Sequence, residues 1–95
     1  LAFVTTSASL GIRAAIDCGG YVVSFLLAAQ ALGVSAVPQA AIAYRTDVIR
    51  AHLPISEDEL VVCGISFGWG DHAHPANRFR TSRASISEVA TFIED

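Results

Sequence analysis

Lysine is absent from this chain, and charge of either sign is scarce. All six basic residues are arginine, against nine acidic ones, and charged residues make up only 16% of the 95. The formal net charge of −3 excludes a general nucleic-acid binder, which needs a basic surface. There are two cysteines, Cys18 and Cys63, with no CxxC spacing, which excludes a disulfide framework and a zinc pattern. Both sit in apolar surroundings and are expected to be reduced core residues. The first residues carry no basic region or cleavage site of a secretory signal. The apolar run from Tyr21 to Leu32 is shorter than the roughly 20 residues a bilayer requires. A soluble, cytoplasmic protein with no membrane and no nucleic-acid partner is the expectation. No P-loop, GxGxxG fingerprint or Ser-His-Asp order is present.

What the chain has in excess is apolar surface. Hydrophobic residues make up 53% of it, and the mean hydropathy is +0.50. A solitary domain of this size must keep much of its surface wet. So apolar a chain calls for a partner surface, either another subunit or a missing half. Residue 1 is Leu, which fits a piece of a longer protein.

Residues 1–8 start apolar and turn polar, as a short strand does. Ser9 is placed to cap a helix starting near Leu10. Gly19 and Gly20 weaken that helix by about 1 kcal/mol each and suggest close approach of another backbone. From Tyr21 the pattern is apolar nearly all round, which predicts burial on most faces, and Gly33 ends the helix. Val34 to Val37 is β-prone, and Pro38 is expected to break the pairing into a turn. A short helix is predicted from Asp47 to Leu53, stopped by Pro54. Ser56 and Glu59 have capping-box spacing that predicts one helical turn. Leu60 to Phe67 reads as a central strand buried on both faces. Gly68 to Arg83 reads as loop, and Ile86, Val89, Phe92 and Ile93 predict a short amphipathic helix within residues 84–95.

Three of the six arginines, Arg78, Arg80 and Arg83, fall in one loop. Guanidinium groups match phosphate oxygens bidentately, and Ser82 adds a hydroxyl donor. By spacing alone, the plainer reading is a solvated loop pairing with Glu88 or Asp95. His72 and His74 with Asp71 lack a further ligand and read as solvated loop. His52 ends a helix, where an imidazole meets the dipole favourably. Trp69 either lines a pocket or covers the end of the core.

Three stretches taken in order change this balance. They are the alanine-rich helix ending Ala31-Leu32-Gly33 with Val37-Pro38-Gln39 after it, Cys63-Gly64-Ile65-Ser66-Phe67-Gly68-Trp69, and Asn77-Arg78-Phe79-Arg80-Thr81-Ser82-Arg83. Their order resembles the C-terminal half of the FMN-dependent nitroreductase family. The resemblance implies an α+β fold: a mixed, antiparallel-rich sheet flanked by helices, in a homodimer whose subunits share each active site. It implies FMN as cofactor and NAD(P)H as electron donor. It also implies a nitro compound, quinone or similar small-molecule acceptor.

By that resemblance Arg83, with Arg80 or Arg78, holds the FMN phosphate. Pro38 anchors a turn against the flavin, and a backbone N–H of Gln39 or Ala40 approaches flavin N5. The helix Ile16–Leu32 becomes the core and interface helix. Many members carry Lys at the position of Thr81, and Gln-Asn at that of Val23-Ser24. The family's N-terminal Arg-Ser motif has no counterpart in residues 1–20. The rival reading is therefore a non-catalytic dimerisation fragment or remnant of the same fold without flavin. Another is an enzyme of that fold with different chemistry.

Overall fold

A computed structural model describes residues 1–93. Three strands make one sheet: β1 (Ala2–Ser7), β2 (Ser35–Gln39) and β3 (Glu59–Gly68). The order is β1-β3-β2 and both pairings are antiparallel. The long helix α1 (Gly11–Ala31) joins β1 to β2. A 3₁₀ segment, Ala40–Arg45, leads into α2 (Thr46–His52) and then to β3. A single further helical turn, α3 (Ile86–Val89), lies near the C-terminus.

The run of Val and Ile in β3 suits the central position, where Val61, Cys63, Gly64 and Ile65 are buried. Ile65 is 0% exposed. Toward β1 the register slips between Val4 and Thr5, which face Cys63 and Val61, so Val62 is the extra residue of a bulge. Alternation along β1 and β3 then defines two faces. Val4, Cys63 and Ile65 form the core under α1, with Cys18 from the helix and Val22, Phe25, Leu26 and Ala36 packed around them. Phe25 meets Phe67 with ring centroids 5.7 Å apart. On the opposite face, Phe3 lies beside α2, whose Ile49 is buried.

The α1 C-terminus follows the expectation. Gly33 has φ 70°, its N–H donates to Gln30 O at 3.0 Å, and Val34 N–H donates to Ala29 O at 2.9 Å. This is a Schellman closure, and it points the chain back along the sheet. The α1 N-terminus does not follow it. Ser7, not Ser9, caps a 3₁₀ turn over Ala8–Leu10, and α1 starts at Gly11 without a side-chain cap.

Burial of α1 on most faces is also corrected. Only Ala14, Cys18 and Ala29 are buried, while Ile12 is 81% exposed and Leu27 66%. The sheet covers one stripe of the helix, and no other described element covers the rest. A Cβ added at Gly19 or Gly20 would meet nothing within 4 Å, so no backbone approaches them here. Ser24 donates to Gly20 O within the helix at 2.9 Å. The span Ala8–Ala31 is 24 residues, long and apolar enough by composition to cross a membrane, contrary to the shorter run expected. One stripe of it packs on the sheet, and the charged Arg13 and Asp17 lie within it.

Three smaller expectations are corrected. Pro38 does not break the pairing but lies inside β2, opposite Ile65. An edge strand tolerates a missing N–H, and β2 is an edge. Ser56 and Glu59 form no helical turn: Glu59 N–H donates to Ser56 O at 3.1 Å and opens β3. Arg50 donates to the carbonyls of Ser56, Glu57 and Glu59, which fixes that connection as a turn. The terminal helix is one turn only, held by a capping box between Ser85 and Glu88, with Ile86, Val89, Phe92 and Ile93 exposed. Glu94 and Asp95 lie outside the described residues. The predicted short helix is observed at Thr46–His52, and His52 Nδ1 meets Val48 O at 2.9 Å.

Ile65→Ala is expected to lose about 2–5 kcal/mol, because the surrounding sheet and helix cannot collapse onto the void. Denaturant midpoints measure it, and an unchanged midpoint would show that β3 is not the structural centre.

Candidate functional site

The site expected from sequence has two parts, and β2 carries one at its end while the loop leading to the other crosses its start. Pairing with β3 places Val37 opposite Ser66, Pro38 opposite Ile65 and Gln39 opposite Gly64. Pro38, Gln39 and Ala40 are contiguous and exposed, at the end of the strand and the start of the 3₁₀ segment. Two contacts fix this junction. Ser66 Oγ donates to Gln39 Oε1 at 3.0 Å. Gly64 lets the 3₁₀ segment lie directly on β3, since a Cβ there would stand 2.6 Å from Ile42 Cδ1.

At the other end of β2, Ser35 pairs with Gly68. The chain leaves β3 there and folds over the start of β2. A Cβ on Gly70 would stand 2.5 Å from Ser35 Oγ, so glycine permits this crossing. Asp71 accepts from Ala73 N–H at 2.9 Å, and its carbonyl accepts from Asn77 Nδ2. His74 Nδ1 accepts from Ala76 N–H at 3.2 Å and caps the 3₁₀ turn Pro75–Arg78. These local bonds use Asp71 and His74 as loop fasteners. Among the described residues no three His, Cys, Asp or Glu side chains gather for a metal. Asn77, Trp69, Ser66, Val37 and Ser35 line an open groove of about 340 Å³. Trp69 is 84% exposed, so it borders this groove and does not cover the core.

The arginine loop follows. Arg80 Nη1 donates to Asn77 O at 2.7 Å and Phe79 O at 2.8 Å. Arg83 Nη1 donates to Thr81 Oγ1, and to Ser82 O at 3.1 Å. Neither meets a carboxylate, because the only ion pair among the described residues is Arg45–Asp47 at 3.3 Å. Glu88 is occupied by its own helix cap, where Ser85 hydrogen bonds hold its carboxyl below the usual range. Asp95, the other expected partner, lies outside the described residues. No hydrogen bond or ion pair joins Arg80 or Arg83 to the Pro38–Ala40 junction. Four strand steps, about 13 Å, separate the two ends of β2.

Sequence reasoning did not foresee the contacts that Ser66 and Gly64 make at this junction. The signal was present: Ser66 is the one hydroxyl in Leu60–Phe67, and a polar group in a buried run needs a partner.

The family profile described as "Nitroreductase family" matches residues 5–69. The chain belongs to the nitroreductase family. It is 38% identical over 80 residues to nitroreductase NfnB of Mycolicibacterium smegmatis, covering 84% of this chain and 34% of that protein. It is 34% identical over 92 residues to a 4-nitrobenzoate reductase of Nocardioides sp., covering 97% of this chain and 37% of that one. The crystal structure of the FMN-dependent NfnB from Mycobacterium smegmatis in complex with NADPH superposes with TM-score 0.89. It does so at 33% identity, over 97% of this chain and 41% of that one. The FMN and NADPH-dependent NfnB from sphigopyxis sp. strain HMH gives TM-score 0.92 at 26% identity, over 98% and 42%. The chain therefore spans about a third of the length of the curated relatives it matches. The α+β fold expected from the resemblance is the fold found.

Both cysteines are free and buried, as expected. Burial pushes the Cys63 thiol up, and neighbouring Cys18 adds to it. Cys63 should therefore alkylate at pH 8 more slowly in the native chain than in denaturant. Labelling followed by peptide mass spectrometry measures this, and equal rates would place Cys63 at the surface.

Proposed function

We propose that the full-length protein is an FMN-dependent oxidoreductase, in which this chain forms the C-terminal half of a single nitroreductase-like domain. It takes hydride from NAD(P)H and passes it through flavin to a nitro compound, quinone or similar small acceptor. The observation that carries this reading is the superposition on an FMN-dependent nitroreductase over nearly the whole chain. The donor set fits the cofactor. Arg80 and Arg83 are guanidinium groups with no carboxylate among the described residues, as a phosphate site requires. The Pro38–Gln39–Ala40 junction is exposed and doubly anchored, as a backbone donor to a flat ring requires.

In this reading Arg83 and Arg80 grip the FMN phosphate. Pro38 shapes the wall beside the ring, and the N–H of Gln39 or Ala40 faces N5. Bound FMN supplies the hydride chemistry, while this chain binds and orients it. The exposed apolar face of α1 supports a homodimer, with small residues such as Ala28 allowing close helix approach. A cytoplasmic location goes with a soluble flavoenzyme of this kind.

The deciding experiment is the visible absorption of the purified full-length protein, with its intact mass. A flavin band supports the enzyme. A colourless protein that binds no added FMN would leave the dimerisation remnant.

Arg83→Ala should weaken FMN binding about 10- to 100-fold, the range for losing hydrogen bonds to a charged group, and leave the oligomer intact. Fluorescence titration measures it, and unchanged affinity would remove Arg83 from the site. Ala28→Glu should dissociate the dimer or prevent its folding, because burying an unpaired carboxylate costs several kcal/mol. Light scattering after gel filtration reads the outcome, and a folded Ala28→Glu dimer would place the interface elsewhere.

A further inference from the structure

We propose that Ser66 is a positioning residue that sets the direction of the Ala40 N–H through Gln39, an inference that rests on the flavin reading above. Among the described residues, the other bonds between two side chains join residues no more than three apart in sequence. The Ser66–Gln39 bond alone spans 27 residues. It falls on the junction expected to face N5.

The geometry follows from the register. Ser66 stands opposite Val37, and Gln39 lies two residues further along β2. Residues opposite one another share a face, and a diagonal neighbour is within reach of a long side chain. Ser66, Val37 and Gln39 therefore share the sheet face away from α1, the face on which Ile42 covers Gly64. Gln39 ends the strand with φ −130° and ψ 94°. That ψ fixes the plane of the next peptide, and so where the Ala40 N–H points. With Oε1 held by Ser66, the Gln39 side chain is tied to β3 and its backbone has less freedom to rotate. Ile42 against Gly64 holds the following segment from the other side. Ser66 itself touches neither ring nor phosphate in this scheme, so its role is indirect.

The test uses the full-length protein loaded with FMN. Its readouts are FMN affinity by fluorescence titration and the flavin midpoint potential. Reduction places a hydrogen on N5, so a donor fixed there meets the oxidised and reduced rings differently, and loosening it shifts the potential. Ser66→Ala should weaken FMN about 3- to 10-fold, as expected for one net hydrogen bond, and shift the potential from the wild-type value. Ser66→Thr, which keeps the hydroxyl on a strand, should restore both. Gln39→Ala, at an exposed position, breaks the same bond without altering β3 and should reproduce the Ser66→Ala effect. Wild-type affinity and potential in Gln39→Ala would overturn the proposal. If Arg83→Ala still loosens FMN in that case, the flavin reading stands and only the Ser66 role falls. If the unaltered protein takes up no FMN, both fall together.

Discussion

The structure depends on β3 being paired on both sides. A strand with two neighbours satisfies its backbone groups fully, so it can be buried without cost from unpaired N–H and C=O groups. That allows Ile65 to be fully enclosed and Cys63 and Val61 to sit beside it. The rest of the described fold is placed relative to this strand. β1 and β2 are its partners, α1 packs over one face, and the 3₁₀ segment with α2 covers part of the other. The site inherits the same origin. Gly64 and Ser66 are residues of β3, and the loop that carries the arginines begins where β3 ends.

The second constraint is that one sheet face covers only one stripe of a helix. Ala14, Cys18 and Ala29 recur at intervals that keep them on a single side of α1. Ile12, Ile16, Val23 and Leu27 point elsewhere and are exposed. The apolar excess seen in composition is thus a surface property of this segment. The curated relatives it matches are about three times as long as this segment.

Strong local signals were legible in the sequence. The Val/Ile run of Leu60–Phe67 is the central strand, Gly33 closes α1 by a positive φ that only glycine adopts easily, and Pro54 follows the short helix. What was misread depended on neighbours distant in sequence. Pro38 looks like a breaker, yet its position on an edge strand removes the conflict. Ser56 and Glu59 have capping spacing, but Arg50 claims the carbonyls of that connection. The true capping box, Ser85 with Glu88, has the same spacing and no such competitor. The all-round apolar pattern of α1 says how much surface wants cover, not which part of the molecule covers it. The Pro38–Ala40 junction and the arginine loop were legible as residue types, not as a site. The Ser66–Gln39 bond was not, because register alone brings those residues together.

The arginine loop gains its charge by subtraction. The chain carries a net negative charge, so an unpaired basic loop is not what composition alone leads one to expect. Among the described residues, the carboxylates nearest to it in sequence, Asp71 and Glu88, are committed to their own backbone or their own helix. Asp71 fastens the loop start, Glu88 caps α3, and Asp47 is held below the usual range by Arg45. Hydrogen bonds to backbone carbonyls, such as Asn77 O and Ser82 O, orient Arg80 and Arg83 without neutralising them. A carbonyl dipole steers a guanidinium, whereas a carboxylate would cancel it. Among the described residues no carboxylate pairs with either arginine. That difference, more than the number of arginines, is what the phosphate reading proposed for this loop rests on.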